Sequence, residues 1–284
     1  MKAMKRFLAV IPVLIFAFAG TAHANATVTV SSFSPYQGDT VLVMFRNSAR
    51  PVSGSFLGRS LSFFTYHNAS STILPVSALQ KAGKYPLIIR LSNGETYKRT
   101  VTVRTKKFVK VVLGIPKELG ITTSGLLTKL GEQKASIDDV VKNVTPRVYF
   151  DKSFGLPLYD NSKISTTFGS IRQTGNSLIH HWGIDLAGKE GSAVGAMSGG
   201  VVKSTYTDSV YGNVVIVDHG EGIYSLYLHL QKILVKEGEK IERGRVVGLL
   251  GHTGYATGPH LHLSMKIDSI PVDPVQFVEL FKKY

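Results

Sequence analysis

Apolar and polar positions alternate in short runs along most of this 284-residue chain. Alternation with period two is the mark of strands that bury one face. Across residues 27–103 the runs are ATVTVSS, TVLVMFR, RSLSFFTY, KYPLIIRLS and TYKRTVTV, separated by turn sequences such as PYQGD and Asn93-Gly94. An Asn-Gly pair between alternating residues predicts a hairpin. Roughly seven short strands in this stretch predict a small antiparallel sandwich over residues 25–105. The texture changes in 106–147, where IPKELGITTSGLLTKLGEQKASIDDVVKNVTP has scattered Leu, Ile and Val among polar residues. It reads as a connector with one or two short helices, and Ser136 with Asp139 suits the start of a helical turn. Residues 148–284 return to strands and glycine turns: GGVVKSTYT, YGNVVIVDHG, IYSLYLHL and PHLHLSMK. A helical period appears only in PVQFVELFKK near the end. The fold class expected is therefore mainly β: an N-terminal sandwich-like domain, a short helical connector and a C-terminal antiparallel sheet domain.

The first 24 residues do not fit this pattern. A basic MKAMKR precedes the apolar FLAVIPVLIFAFAG and then TAHANA, with Ala22-x-Ala24 placed for cleavage before Asn25. This is the layout of a secretory signal peptide. The apolar run is short for a bilayer crossing, which needs about 20 residues, so no transmembrane anchor is expected after cleavage. The chain has no cysteine; neither disulfides nor a lipid-modified N-terminal cysteine can form. Charge is unevenly spread. Residues 25–149 hold 17 Lys or Arg against 6 Asp or Glu, whereas 150–284 hold 13 of each. A front half at +11 suggests contact with an anionic envelope polymer or an envelope protein. Export makes nucleic acid the wrong partner.

Seven of the nine histidines lie in 148–284. HHWGIDLAG sets His181 and Asp185 four residues apart, with Gly183 between them allowing a bend. In PHLHLSM an extended backbone sends His260 and His262 to one face and Leu261 and Leu263 to the other. In IYSLYLHL the same rule puts Tyr227 and His229 opposite Leu226, Leu228 and Leu230. Asp218 and His219 end another strand. A catalytic zinc site needs three imidazole or carboxylate ligands and an open position. His181, Asp185 and one of the paired histidines meet that count, leaving the other and His229 to move protons. For His180, His219 and His252 the ordinary reading is a hydrogen-bonded structural histidine.

Taken in order, FGSIR (168–172), HWGIDLAG, GSAVGAMSGGVV, YGNVVIVDHG, YLHL and VKEGEKIERGRVVGLLGHTGYATGPHLHLSM resemble the zinc metallopeptidases of the M23 family, the lysostaphin-like peptidoglycan endopeptidases. The matching stretch runs from about residue 157 to 273. The resemblance implies a single Zn2+ held by His181, Asp185 and His262, with His229 and His260 as catalytic histidines. It implies peptidoglycan peptides as substrate and the periplasm or cell envelope as location, or secretion. Tyr227, Asn213 and His180 are candidates for the groove wall. His180 directly precedes His181, but the spacing to Gly183 and Asp185 selects His181. Some relatives occlude the site with an N-terminal segment, and the 106–146 connector has the length to do so here. Two other readings stand beside the enzyme. One is a catalytically inactive wall binder or activator of other envelope hydrolases. The other is a structural envelope protein in which the front sandwich works and zinc only stabilises the fold.

Overall fold

The computed structural model describes residues 27–47, 49–112, 122–150, 153–158, 163–174 and 177–284; the expected signal segment 1–24 lies outside them. Among the described residues no helix is long and apolar enough to cross a membrane. The front of the chain holds β1 (Thr27–Val30), β2 (Thr40–Arg46), β3 (Pro51–Phe56), β4 (Arg59–Ser60), β5 (Phe64–Tyr66), β6 (Ala69–Pro75), β7 (Gly83–Leu91) and β8 (Thr96–Val103). They form two four-stranded antiparallel sheets, β1-β2-β6-β5 and β4-β3-β7-β8. The expected alternation builds the core between them: Val41, Val43 and Phe45 meet Leu87, Ile89, Tyr97 and Val101. Strand β2 is buried on its other face as well. Leu42 and Met44 join a second core, which belongs mostly to the C-terminal part of the chain.

The connector differs from expectation. Among its described residues, β9 (Lys110–Val112) is followed by one helix, α1 (Thr123–Val141), 19 residues long. Its N-cap is Thr122, whose hydroxyl accepts from Gly125 N. Ser136 lies inside the helix and donates to the Glu132 carbonyl, so it starts no turn. The helix eluded the apolar pattern because, among its described side chains, only Leu126, Ile137 and Val141 are buried. Its order comes from docking on a sheet rather than from its own period.

The rest of the chain comprises β10 (Lys163–Thr166), β11 (Ile171–Thr174), β12 (Ser177–His180), β13 (Ile184–Ala187), β14 (Ala193–Gly195), β15 (Gly200–Asp208) and β16 (Gly212–Gly220). It continues with β17 (Ile223–Leu230), β18 (Lys232–Ile233), β19 (Lys240–Ile241), β20 (Val246–Leu249), β21 (His260–Ile267), β22 (Ile270–Val272) and α2 (Pro274–Lys283). The main sheet has the order β10-β13-β21-β17-β16-β15-β19, with β22 on β21. One face buries Val215, Tyr227, Leu263 and Met265 against Phe277 and Phe281 of α2. Asp273 caps that helix by accepting from Val275 N and Gln276 N. The opposite face carries Val214, Ile216, Tyr224, Leu226 and Leu228, covered by Ile137 and Val141 of α1. The mainly β architecture is as expected.

His219 is a core residue, fully buried. Its Nδ1–H donates to the Gly199 carbonyl at 2.7 Å, and Nε2 lies 2.8 Å from Ser225 Oγ. Burial pushes its pKa from 6.5 down to about 4. The unfolded chain therefore takes up a proton near pH 6.5 that the folded chain refuses until about pH 4. Stability from this group is present above that window and is lost as pH falls through it, by about 3 kcal/mol. A His219→Gln variant should show a flatter melting temperature across the window; an unchanged slope would contradict this account.

Candidate metal centre

Strand register assembles the site. Leu228 of β17 stands opposite His262 of β21, and His262 stands opposite Asp185 of β13. Residues directly paired across strands share a face, and Leu228 lies on the face covered by α1. His262 and Asp185 therefore point to the α1 side, while Leu263 and Ile184 pack in the core beneath. His181 enters just before β13, and its backbone is locked to Ser170 and Gly169 by N–H···O bonds of 2.9 and 2.8 Å. Gly183 lies at the bend expected of it, and it is required for close approach as well. A Cβ on it would lie 2.5 Å from the Leu263 carbonyl and 2.7 Å from His262 Nε2.

His181 Nε2, His262 Nδ1 and Asp185 Oδ1 converge: the nitrogens are 2.8 Å apart and each is 2.9 Å from the oxygen. The proton positions follow from the outer partners. His181 Nδ1 faces the Thr167 carbonyl at 3.3 Å, so the proton belongs on Nδ1 and Nε2 presents a lone pair. Ser264 donates its hydroxyl proton to the Trp182 carbonyl, so its oxygen accepts from His262 Nε2–H at 2.9 Å. His262 Nδ1 is then bare as well. Three acceptor atoms thus point at one place with no proton between them, an arrangement that repels itself unless a cation sits there. Two imidazoles and a carboxylate oxygen, each ring held by an outer partner, suit a divalent ion of the zinc type.

With no cation at the centre, the facing nitrogens of His181 and His262 would carry protons instead; against the raising effect of burial, their hydrogen bonds and charges then hold the Asp185 carboxyl well below its usual range. Arg172 Nη2 donates to its other oxygen, Oδ2, at 2.5 Å. Burial, with the neighbouring His181, pushes His262 down to about 4. His229 is pushed down to about 3 by burial and then by the charges of His262 and His260. Both rings are neutral at neutral pH.

His229 reaches the site through a break in the alternation. Between the pairs Asn213↔Leu230 and Val215↔Tyr227 the register slips, and His229 has φ of 62°. This bulge turns its ring onto the face of His260 and His262, with centroids 4.9 and 6.2 Å away. Bulges commonly re-aim a side chain this way. His229 Nδ1–H donates to the Thr253 carbonyl and His260 Nδ1–H to the Gly258 carbonyl, both at 2.8 Å. Each leaves Nε2 as its acceptor atom, and His260 Nε2 lies 3.8 Å from Asp185 Oδ1.

Two groove candidates are corrected. Tyr227 does not share a face with His229. It is fully buried in the core, and its hydroxyl accepts from Met197 N at 2.8 Å. Asn213 spends its amide on the Leu230 and Gln231 carbonyls at 2.9 and 3.1 Å, which ties a turn together. His180 does line the cavity beside the triad, stacked on Trp182 with centroids 4.8 Å apart. That cavity, of about 120 Å³, is walled on one side by Leu130, Lys134 and Ile137 of α1 and on the other by His181, His229 and His262. Of the remaining histidines, His252 sits exposed beside Glu190. Sequence reasoning missed Arg172, Ser264 and the carbonyls of Thr167 and Thr253. Only Arg172 left a signal, inside the FGSIR run.

Residues 179–274 match the model of Peptidase family M23. The peptidoglycan DD-endopeptidase ShyA of Vibrio cholerae is 43% identical over 122 residues, 42% of this chain and 28% of ShyA. The DD-carboxypeptidase/endopeptidase Mpg of Neisseria meningitidis is 35% identical over 137 residues, 47% of this chain and 28% of Mpg. These matches thus span little more than a quarter of each relative's length. A crystal structure from Pseudomonas aeruginosa, provisionally assigned as peptidase M23, superposes with a TM-score of 0.64 at 25% identity. It covers 87% of this chain and 96% of that one.

Proposed function

We propose, from the premise that residues 179–274 form a peptidase family M23 domain, that this chain is a zinc-dependent endopeptidase cleaving stem or cross-link peptides of peptidoglycan. The observation that carries the reading is the convergence of three protonless donor atoms beside two further imidazoles with bare Nε2 atoms. His181, Asp185 and His262 are the residues to hold the ion. When bound, Zn2+ supplies Lewis-acid polarisation of the scissile carbonyl and lowers the pKa of the attacking water. His229 and His260, each with Nδ1–H spent on a backbone carbonyl, have Nε2 free to take that water's proton. Once protonated, the same nitrogens are donors, able to stabilise negative charge on the carbonyl oxygen or to protonate the departing amine. The substrate class is supported by the names of the relatives, three of which, from Vibrio cholerae, are named peptidoglycan DD-endopeptidases. A periplasmic or envelope location suits that substrate, and the basic front half suits an anionic surroundings.

The division of labour follows the chain: a signal segment over 1–24, a sandwich over 25–105, a connector over 106–147 and a catalytic domain over 148–284. Within it, α1 acts as a cover. It lies on the sheet face that carries the triad and is anchored there by the ion pair of Asp138 with Lys266 of β21.

The test is incubation of the purified protein with peptidoglycan sacculi and identification of released fragments by mass, with and without a chelator. Chelator-sensitive release of peptide-cleaved fragments is expected. No release by the protein or by a variant with α1 loosened would leave a wall-binding scaffold or activator instead.

A further inference from the structure

The FGSIR run has no task in the chemistry above, yet it touches two of the three proposed ligands. We propose that Arg172 is a positioning residue: it fixes Asp185 as a one-oxygen ligand by occupying the other oxygen. This rests on the metal-site reading. Asp185 Oδ1 faces His181 and His262, while Oδ2 meets Arg172 Nη2 at 2.5 Å. The Arg172 side chain is three-quarters buried and that of Asp185 nearly fully so, so water screens the pair weakly. A carboxylate with both oxygens free can rotate or chelate with both. With Oδ2 held by a guanidinium, only Oδ1 is presented.

The arginine is itself held from two sides. Strand β11 pairs with β12 on one edge and, in parallel, with β9 on the other, where Arg172 stands opposite Val111. Ile171 N donates to the Val109 carbonyl at 2.8 Å. Next to it, Gly169 adopts φ of +78° and would place a Cβ 2.2 Å from the Phe108 ring. The segment 167–172 therefore clamps His181 through Thr167, Gly169 and Ser170 and clamps Asp185 through Arg172. The 108–112 stretch backs that clamp, so a piece of the connector supports the metal centre rather than merely joining domains.

The experiment titrates Zn2+ and Co2+ into the metal-free full-length protein, its Arg172→Gln variant and its Arg172→Lys variant, with folding checked by circular dichroism. Arg172→Gln should bind Zn2+ about 10- to 100-fold more weakly, the usual effect of losing an outer-shell partner. Its Co2+ absorption bands should shift, because the carboxylate is no longer confined to one oxygen. Arg172→Lys should fall between, since an ammonium keeps the charge but not the planar donor edge. On a soluble peptide, kcat should fall with KM little changed. Zn2+ affinity within twofold of wild type and an unshifted Co2+ spectrum in Arg172→Gln would overturn the proposal. If that variant does not fold, Arg172→Lys decides, and wild-type affinity in it overturns the proposal. Failure of the unaltered protein to bind metal sinks this inference and the peptidase reading together. Metal uptake without hydrolysis sinks only the latter.

Discussion

Replacing His229 by alanine should lower turnover of a cross-linked peptidoglycan peptide by about 10²- to 10⁴-fold while the protein still takes up its metal ion. His229 is not among the three converging atoms. Its Nδ1–H is spent on the Thr253 carbonyl, and its ring stands 4.9 Å from that of His260. Loss of the ring removes a proton acceptor and leaves the ligands in place. His262→Ala is the counterpart, since it should lose metal and turnover together because Nδ1 belongs to the triad. The φ of 62° at His229 calls for a control. Alanine is strained at positive φ, whereas asparagine tolerates it better, so His229→Asn separates loss of the imidazole from backbone relaxation. Equal losses in the two variants are expected. Turnover retained in either, at unchanged metal content, would remove His229 from the chemistry.

Replacing Asp138 by alanine should act in the opposite direction and raise turnover of a soluble peptide by about tenfold. Lys266 is 7% exposed and lies on the strand that carries His260 and His262. Asp138 is its only ion-pair partner among the described residues. Breaking a fully buried pair costs about 3–5 kcal/mol, and the one-third exposure of Asp138 lowers that figure. The stranded ammonium regains water when α1 lifts. Tilting the covered-to-open balance by about 1.4 kcal/mol multiplies a minor open population tenfold. Limited proteolysis should find new cleavage within 123–141 in the same variant. New cleavage with unchanged turnover would mean that α1 is not a cover. Deleting everything before Val148 is a poorer test. It removes α1, but also β9, which pairs with β11 beside Arg172, so gain and loss would cancel.

The parts of the site that were legible in the sequence are those governed by one segment's own geometry. His260 and His262 fall on one face because β21 is an unbroken strand. The same rule misassigned His229. It grouped that residue with Tyr227, but the slip between β16 and β17 put them on opposite faces. The rule contains no term for the bulge, which exists only because a partner strand is there to be out of step with. Helix α1 was underestimated for a related reason. Its buried residues are few, and the surface that makes them worth burying lies on Val214, Ile216, Tyr224, Leu226 and Leu228, far along the chain.

By itself, then, the sequence determined a strand-rich chain, the hairpin turns, the C-terminal helix, and the histidines and aspartate whose order and spacing mark a metal site. All of these depend on backbone periods and side-chain chemistry within a few residues. Tertiary structure alone decided which atoms meet and what stands over them. His181 meets His262 from 81 residues away, and Asp138 meets Lys266 from 128. Such contacts arise from strand pairing and burial across the whole sheet, and no local period encodes them.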